Sequence, residues 1–219
     1  MFDRIQRLSI LSLVEEFITS YKNGKVCLHP TDTLPGLTLD PFQLESVSQL
    51  YMMKNRPVNM PCISLVSSSE MANKWWRPLP AWLCEYLIGS GWPEGLSIAW
   101  QANKLAPSFL VSKTGTICLR KISANERLGW VVDVINQLDQ PLLSTSVNKS
   151  GVPPLSSWDG AREFVLRQGG WVPDVDVIDL KKPSPSTVVA VNSNQNGFDL
   201  LREGAVDFKS LPNNEVGRR

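Results

Sequence analysis

Apolar residues recur with helical or strand periods along most of the chain. Ile5, Leu8, Leu11, Val14, Phe17, Ile18 and Tyr21 fall three or four residues apart, predicting an amphipathic helix over 4–21 that Asn23-Gly24 ends. Lys25-Val26-Cys27-Leu28 reads as a strand running into a polar loop that starts at His29. Leu44, Val47, Leu50 and Tyr51 form the apolar face of the next helix, with Asp40 as its N-cap, Pro41 at the first helical position and Gln43 at the capping-box position. Pro57 stops that helix just beyond Lys54. Residues 62–66, 96–100, 116–122, 141–145, 175–180, 187–191 and 198–201 read as strands, and 69–76, 81–88, 130–138 and 157–168 as helices. A polar segment, 101–115, joins two of the strands. Elements mixed in this order predict an α/β fold (α+β-like), a twisted mixed sheet with flanking helices. Residues 1–210 are expected to form one domain and 211–219 a frayed tail.

Composition narrows the function classes. The chain has 219 residues, 42% hydrophobic and 20% charged, enough to bury a sizeable core. A net charge of +1 gives no global attraction to nucleic acid or membrane, so a basic site must be local. The four cysteines have no metal-ligand spacing and read as reduced core residues of a cytoplasmic protein. Glu15 and Glu16 interrupt the N-terminal apolar patch, which argues against a signal peptide, and no run is long enough to span a membrane. The single histidine, His29, is expected at a strand end or turn and cannot by itself anchor a metal site or a catalytic triad.

Polar clusters gather where predicted elements end. Ser144-Thr145-Ser146-Val147-Asn148-Lys149-Ser150-Gly151 follows a strand and offers hydroxyls, an amide and backbone N–H groups to an anion. Thr31-Asp32-Thr33 also follows a strand, Lys54 and Arg56 end a helix, and Arg202 follows the last strand. In open α/β sheets, ligands collect where such ends converge. Lys54, Arg56, Arg120, Lys149 and Arg202 brought into one cleft suit a polyanion such as a nucleoside triphosphate. Lys54 and Arg56 also suit the C-terminus of a helix simply as cations. Arg120 inside an apolar strand needs a partner, for which Asp32 is a candidate. Walker and dinucleotide-binding glycine signatures are absent.

These residues resemble the YrdC family of L-threonylcarbamoyladenylate synthases in a minimal single-domain form. The family's KxR…SxN tetrad is matched by Lys54, Arg56, Ser146 and Asn148. Blocks in family order are PTDT-x-x-G from Pro30, KNRP from Lys54, GTICLR from Gly115, STSVNKSG from Ser144, PSTVV from Pro185 and LREGAV from Leu201. The chain differs from the usual pattern at Pro35, Val147 and Pro185.

The resemblance implies a YrdC-like fold with a concave electropositive face. It implies a nucleotidyltransferase that forms threonylcarbamoyl-AMP and pyrophosphate from L-threonine, bicarbonate and ATP. The product serves N6-threonylcarbamoyladenosine modification of tRNA and passes to a separate threonylcarbamoyl transferase complex. By motif, Lys54, Arg56, Thr116, Ser146, Asn148 and Arg202 hold ATP, the tetrad being catalytic, while Thr33, Arg120, Ser144 and Ser186 hold L-threonine or bicarbonate. Mg2+ is expected to arrive with the nucleotide, with no protein metal site. Two alternatives are a non-catalytic protein binding double-stranded RNA, ribosomal RNA or tRNA, which the near-zero net charge disfavours, and a divergent paralogue with a changed amino-acid substrate.

Overall fold

The computed structural model describes residues 2–55, 62–192 and 194–212, with side chains from residue 9 onward. In chain order the elements are α1 (Phe2–Lys22), β1 (Cys27–His29), β2 (Gly36–Thr38), α2 (Leu44–Lys54), β3 (Ile63–Val66), α3 (Ser69–Asn73), α4 (Ala81–Gly89), β4 (Leu96–Gln101), β5 (Thr116–Lys121), α5 (Gly129–Leu138), β6 (Leu142–Ser146), α6 (Trp158–Arg167), β7 (Thr187–Val191) and β8 (Phe198–Arg202). The strands form one eight-stranded sheet in the order β1-β2-β6-β3-β5-β4-β7-β8. The β3–β5 and β4–β7 pairs are parallel and the others antiparallel, so the sheet is mixed as expected.

Most strands are buried along nearly their whole length, and the alternation over the first four residues of β5 marks the two faces of the sheet. On β5, Ile117 and Leu119 are fully buried while Thr116 and Cys118 are half-buried. The buried set joins α1 and α5 in one core. Phe17 of α1 sits edge-on to Trp130 of α5 at 5.6 Å and to Trp171 at 5.4 Å. A fully buried aromatic of this kind contributes about 1.5–3 kcal/mol through area removed from water. Register places the polar strand residues on the opposite face. Ser97 pairs with Arg120, Leu65 with both Arg120 and Leu142, and Gly36 with both His29 and Ser146. Two-residue alternation along β6 adds Ser144 to that face.

Three expectations about local structure change. The segment 175–180 is irregular rather than a strand. Its groups bond to α6 instead of a ladder: Trp158 and Arg162 donate to Val175 O, and Asp179 Oδ1 accepts from Trp158 N at 2.7 Å. Asp40 does not cap α2, which begins at Leu44 with Gln43 in the cap position. Asp40 Oδ1 instead accepts from Phe42 N, and Gln43 Nε2 donates to Lys22 O at the end of α1. Third, β2 forms within the loop expected after His29, because both β1 and β6 supply it with pairing partners. Leu211, the first residue of the expected tail, is buried, and 213–219 lie outside the described residues. Among the described residues no helix is long and apolar enough to cross a membrane.

Candidate active site

Lys54 ends α2, where Asn55 turns the backbone left-handed at φ 47°. Its side chain is buried, 3% exposed, and its Nζ donates to Ser146 O and, at 3.0 Å, to Asn148 Oδ1. Ser146 Oγ donates to the same Asn148 oxygen at 2.7 Å. The Asn148 amide donates to Lys149 O and Val152 O, and Ser150 N donates to Lys54 O at 2.6 Å. Three tetrad members are thus joined through one amide oxygen; Arg56 lies outside the described residues. Val147, between Ser146 and Asn148, is fully buried on the core side, so its bulk does not enter the site.

The loop after β1 delivers a second cluster. Thr31 Oγ1 accepts from Thr33 N at 3.0 Å and donates to Leu34 O at 2.7 Å, tying the loop upon itself. This places Asp32 Oδ1 at 3.3 Å from Arg120 Nε, with side chains only 1% and 5% exposed. Asp32 Oδ2 accepts from Gly95 N at 2.6 Å, and Arg120 Nη1 donates to Thr33 Oγ1 at 3.0 Å. Burial lowers the Arg120 pKa and the Asp32 charge opposes that shift. The partner expected for Arg120 is therefore the one observed.

A third cluster closes the far side. Arg202 donates through Nε and Nη2 to Ser186 O at 3.1 and 2.8 Å, and Nη2 also reaches Ser186 Oγ at 2.9 Å. Ser97 Oγ donates to Ser186 Oγ at 2.8 Å. Thr33, Arg120, Ser144, Ser146, Ser186 and Arg202 all line one pocket of about 180 Å³. Lys54 and Asn148 adjoin it through Ser146. Thr116 does not line it: it shares the face of β5 with Arg120, four residues or roughly 13 Å away, and bonds Ser112 Oγ at 2.7 Å. Lys149 is exposed.

Sequence reasoning missed Ser97 and the role of His29, and it had Gly36 only as a motif position. The available signal for Ser97 was a lone hydroxyl inside the apolar run of β4. His29 does end a strand, as expected, but it is fully buried, 3.4 Å from Ser144 Oγ. Burial lowers its pKa to about 4, too weak a base to activate Ser144 as a nucleophile. All four cysteines are thiols; Cys27 and Cys62 are core residues, whereas Cys84 and Cys118 are only half-buried. Burial pushes the Cys118 thiol up to about 12 against the pull of Arg202 and Arg120, which keeps it protonated. No group of metal-ligating side chains occurs among the described residues. Hydroxyls, an amide and three cations around one cavity suit an anionic substrate held by charge and orientation.

The sequence model of a family named Sua5/YciO/YrdC and described as "Telomere recombination" matches residues 19–204. The chain is 27% identical over 178 residues to the threonylcarbamoyl-AMP synthase of Pseudoalteromonas translucida, covering 81% of this chain and 93% of that relative. Among solved structures it is similar to the Sua5 protein of P. abyssi complexed with L-threonine, at TM-score 0.75 and 22% identity. That match covers 90% of this chain and 55% of the other. It is also similar to YciO of E. coli, at TM-score 0.73 and 18% identity, covering 93% and 92% of the two chains.

Proposed function

The chain belongs to the Sua5/YciO/YrdC family, and on that premise we propose that it is an L-threonylcarbamoyladenylate synthase. It condenses the amine of L-threonine with bicarbonate to a carbamate. A carbamate oxygen then attacks the α-phosphorus of ATP in line, the bond to the bridging oxygen breaks, and pyrophosphate leaves with the electron pair. The observation that carries this reading is the single pocket lined by Arg120, Ser144, Ser146, Ser186 and Arg202, with Lys54 held beside it by Ser146 and Asn148. The relative solved with L-threonine and the relatives named threonylcarbamoyl-AMP synthase support it.

In this reading Arg120 and Thr33 hold the amino-acid carboxylate, Ser144 orients the amine and Ser186 the carbamate, and Lys54, Arg56, Ser146, Asn148 and Arg202 hold the nucleotide. Thr116 contacts the nucleotide further along the same face. No enzyme nucleophile is needed, because orientation and neutralisation of the phosphate charge suffice for such a displacement. Magnesium, when bound, supplies further neutralisation of the phosphates. The donors at the pocket are hydroxyls, an amide and cations, and the Asp32 carboxylate is committed to Arg120 and Gly95, so the nucleotide itself would hold the metal. The product is a reactive mixed anhydride, which fits transfer to a separate threonylcarbamoyl transferase complex acting on tRNA. Four cysteines without a disulfide support a reducing compartment, and the cytoplasm is the location proposed with this reading.

The test is pyrophosphate release from ATP and bicarbonate, with and without L-threonine. Threonine-dependent release is expected from the wild type. Lys54→Ala removes a buried cation from the nucleotide side and is expected to lower it at least 100-fold, about 2.7 kcal/mol of transition-state stabilisation. ATP binding without threonine-dependent release would point to the divergent paralogue. RNA binding with neither would overturn the enzyme reading.

A further inference from the structure

His29 lies outside the set of residues that hold the substrates, yet it occupies the wall behind Ser144. Its imidazole is fully buried, with Nδ1 at 3.0 Å from Pro30 O and Nε2 at 3.4 Å from Ser144 Oγ. A carbonyl oxygen only accepts, so the Nδ1 contact requires the proton on Nδ1. Nε2 is then a bare lone pair, and the contact with Ser144 forms only if the serine hydroxyl donates. Gly36 seals this corner. A Cβ there would meet His29 Cε1 and Nε2 at 2.7 Å and Ser144 Oγ at 2.8 Å, so only glycine leaves room for the imidazole and the hydroxyl together. Gly36 pairs directly with His29 across β1 and β2, which holds the ring against the pocket wall.

Building on the synthase reading, we infer that His29 is a positioning residue that holds the Ser144 hydroxyl as a donor toward Nε2, so that Ser144 presents only lone pairs to the pocket. That corner therefore accepts a hydrogen-bond donor of the substrate, its amine nitrogen or its hydroxyl, and rejects a carboxylate oxygen. The carboxylate is turned toward Arg120, the buried guanidinium across the same pocket. The amino acid is read by polarity in one orientation. Burial keeps the ring neutral at ordinary pH, since its pKa falls to about 4.

His29 is the only histidine of the chain, so its ring can be observed without assignment by 15N imidazole NMR on the intact protein. At neutral pH the spectrum is expected to show a neutral ring protonated at Nδ1. Ser144→Ala is expected to move the Nε2 resonance while leaving Nδ1 in place. In kinetics, His29→Phe keeps an aromatic ring and removes the acceptor. It is expected to raise KM for L-threonine roughly fivefold, the worth of one neutral hydrogen bond, with KM for ATP unchanged. Ser144→Ala is expected to raise it comparably, and the double variant no further. A ring protonated at Nε2, additive effects of the two substitutions, or a parallel rise in KM for ATP would each overturn the inference. Absence of threonine-dependent release from the wild type would refute the synthase reading instead, and the imidazole spectrum would still decide the tautomer.

Discussion

Replacing Asp32 by Asn tests the electrostatic centre of the site with almost no change of shape. The pair is buried, with side chains 1% and 5% exposed and 3.3 Å between Asp32 Oδ1 and Arg120 Nε. At an effective dielectric constant of about 20, this separation corresponds to about 5 kcal/mol of direct attraction. Asn cannot reproduce the geometry either. With its oxygen toward Gly95 N, its NH2 group faces the guanidinium; reversed, the NH2 faces the Gly95 N–H. One donor opposes another in both arrangements. Removing one member of a buried pair costs about 3–5 kcal/mol because the remaining charge is stranded. For a chain of this size that corresponds to a fall in Tm of roughly 10 °C. Urea denaturation followed by tryptophan fluorescence measures the loss. Asp32→Asn/Arg120→Met is expected to be more stable than Asp32→Asn alone, since it removes the stranded charge. A loss below about 1 kcal/mol, or a double variant whose loss equals the sum of the two single losses, would show that the two side chains act independently and refute the reasoning.

Acid titration probes His29. Its folded pKa of about 4 lies below the unfolded value of 6.5, so the unfolded chain binds the extra proton first and stability falls as pH drops through that window. The total loss is about 3 kcal/mol, measured as denaturation midpoints between pH 7 and pH 4, and His29→Phe should flatten that slope. Val147→Ala empties part of the core behind the tetrad and is expected to cost about 2 kcal/mol of stability, while KM for L-threonine and ATP stays unchanged; a large change in either KM would mean that the side chain shapes the pocket after all.

Local patterning was legible wherever an element carries its own period. The apolar stripe from Val14 to Tyr21 specifies a helix because side chains three and four residues apart share a face, and the structure buries that stripe. The β-branched and apolar runs at 116–121, 142–146 and 187–191 are strands for the same kind of reason. Six motif blocks named nearly every residue that lines the pocket. The apolar residues of 175–180, interrupted by Asp176 and Asp179, also read as a strand, but α6 took up carbonyl and carboxylate groups there, which no local rule foresees.

By itself, then, the sequence determined the helices, most of the strands and the identity of the polar residues that gather at the site. The tertiary structure alone decided the three-residue strand β2 and the contact of His29 with Ser144 across 115 positions of the chain, and it closed the pair that the sequence offered only as a candidate, Asp32 with Arg120 across 88 positions. The reason is physical. Periodicity encodes which face of an element is apolar. Strand register decides which side chains meet, and it is settled only when the whole sheet and its core form together.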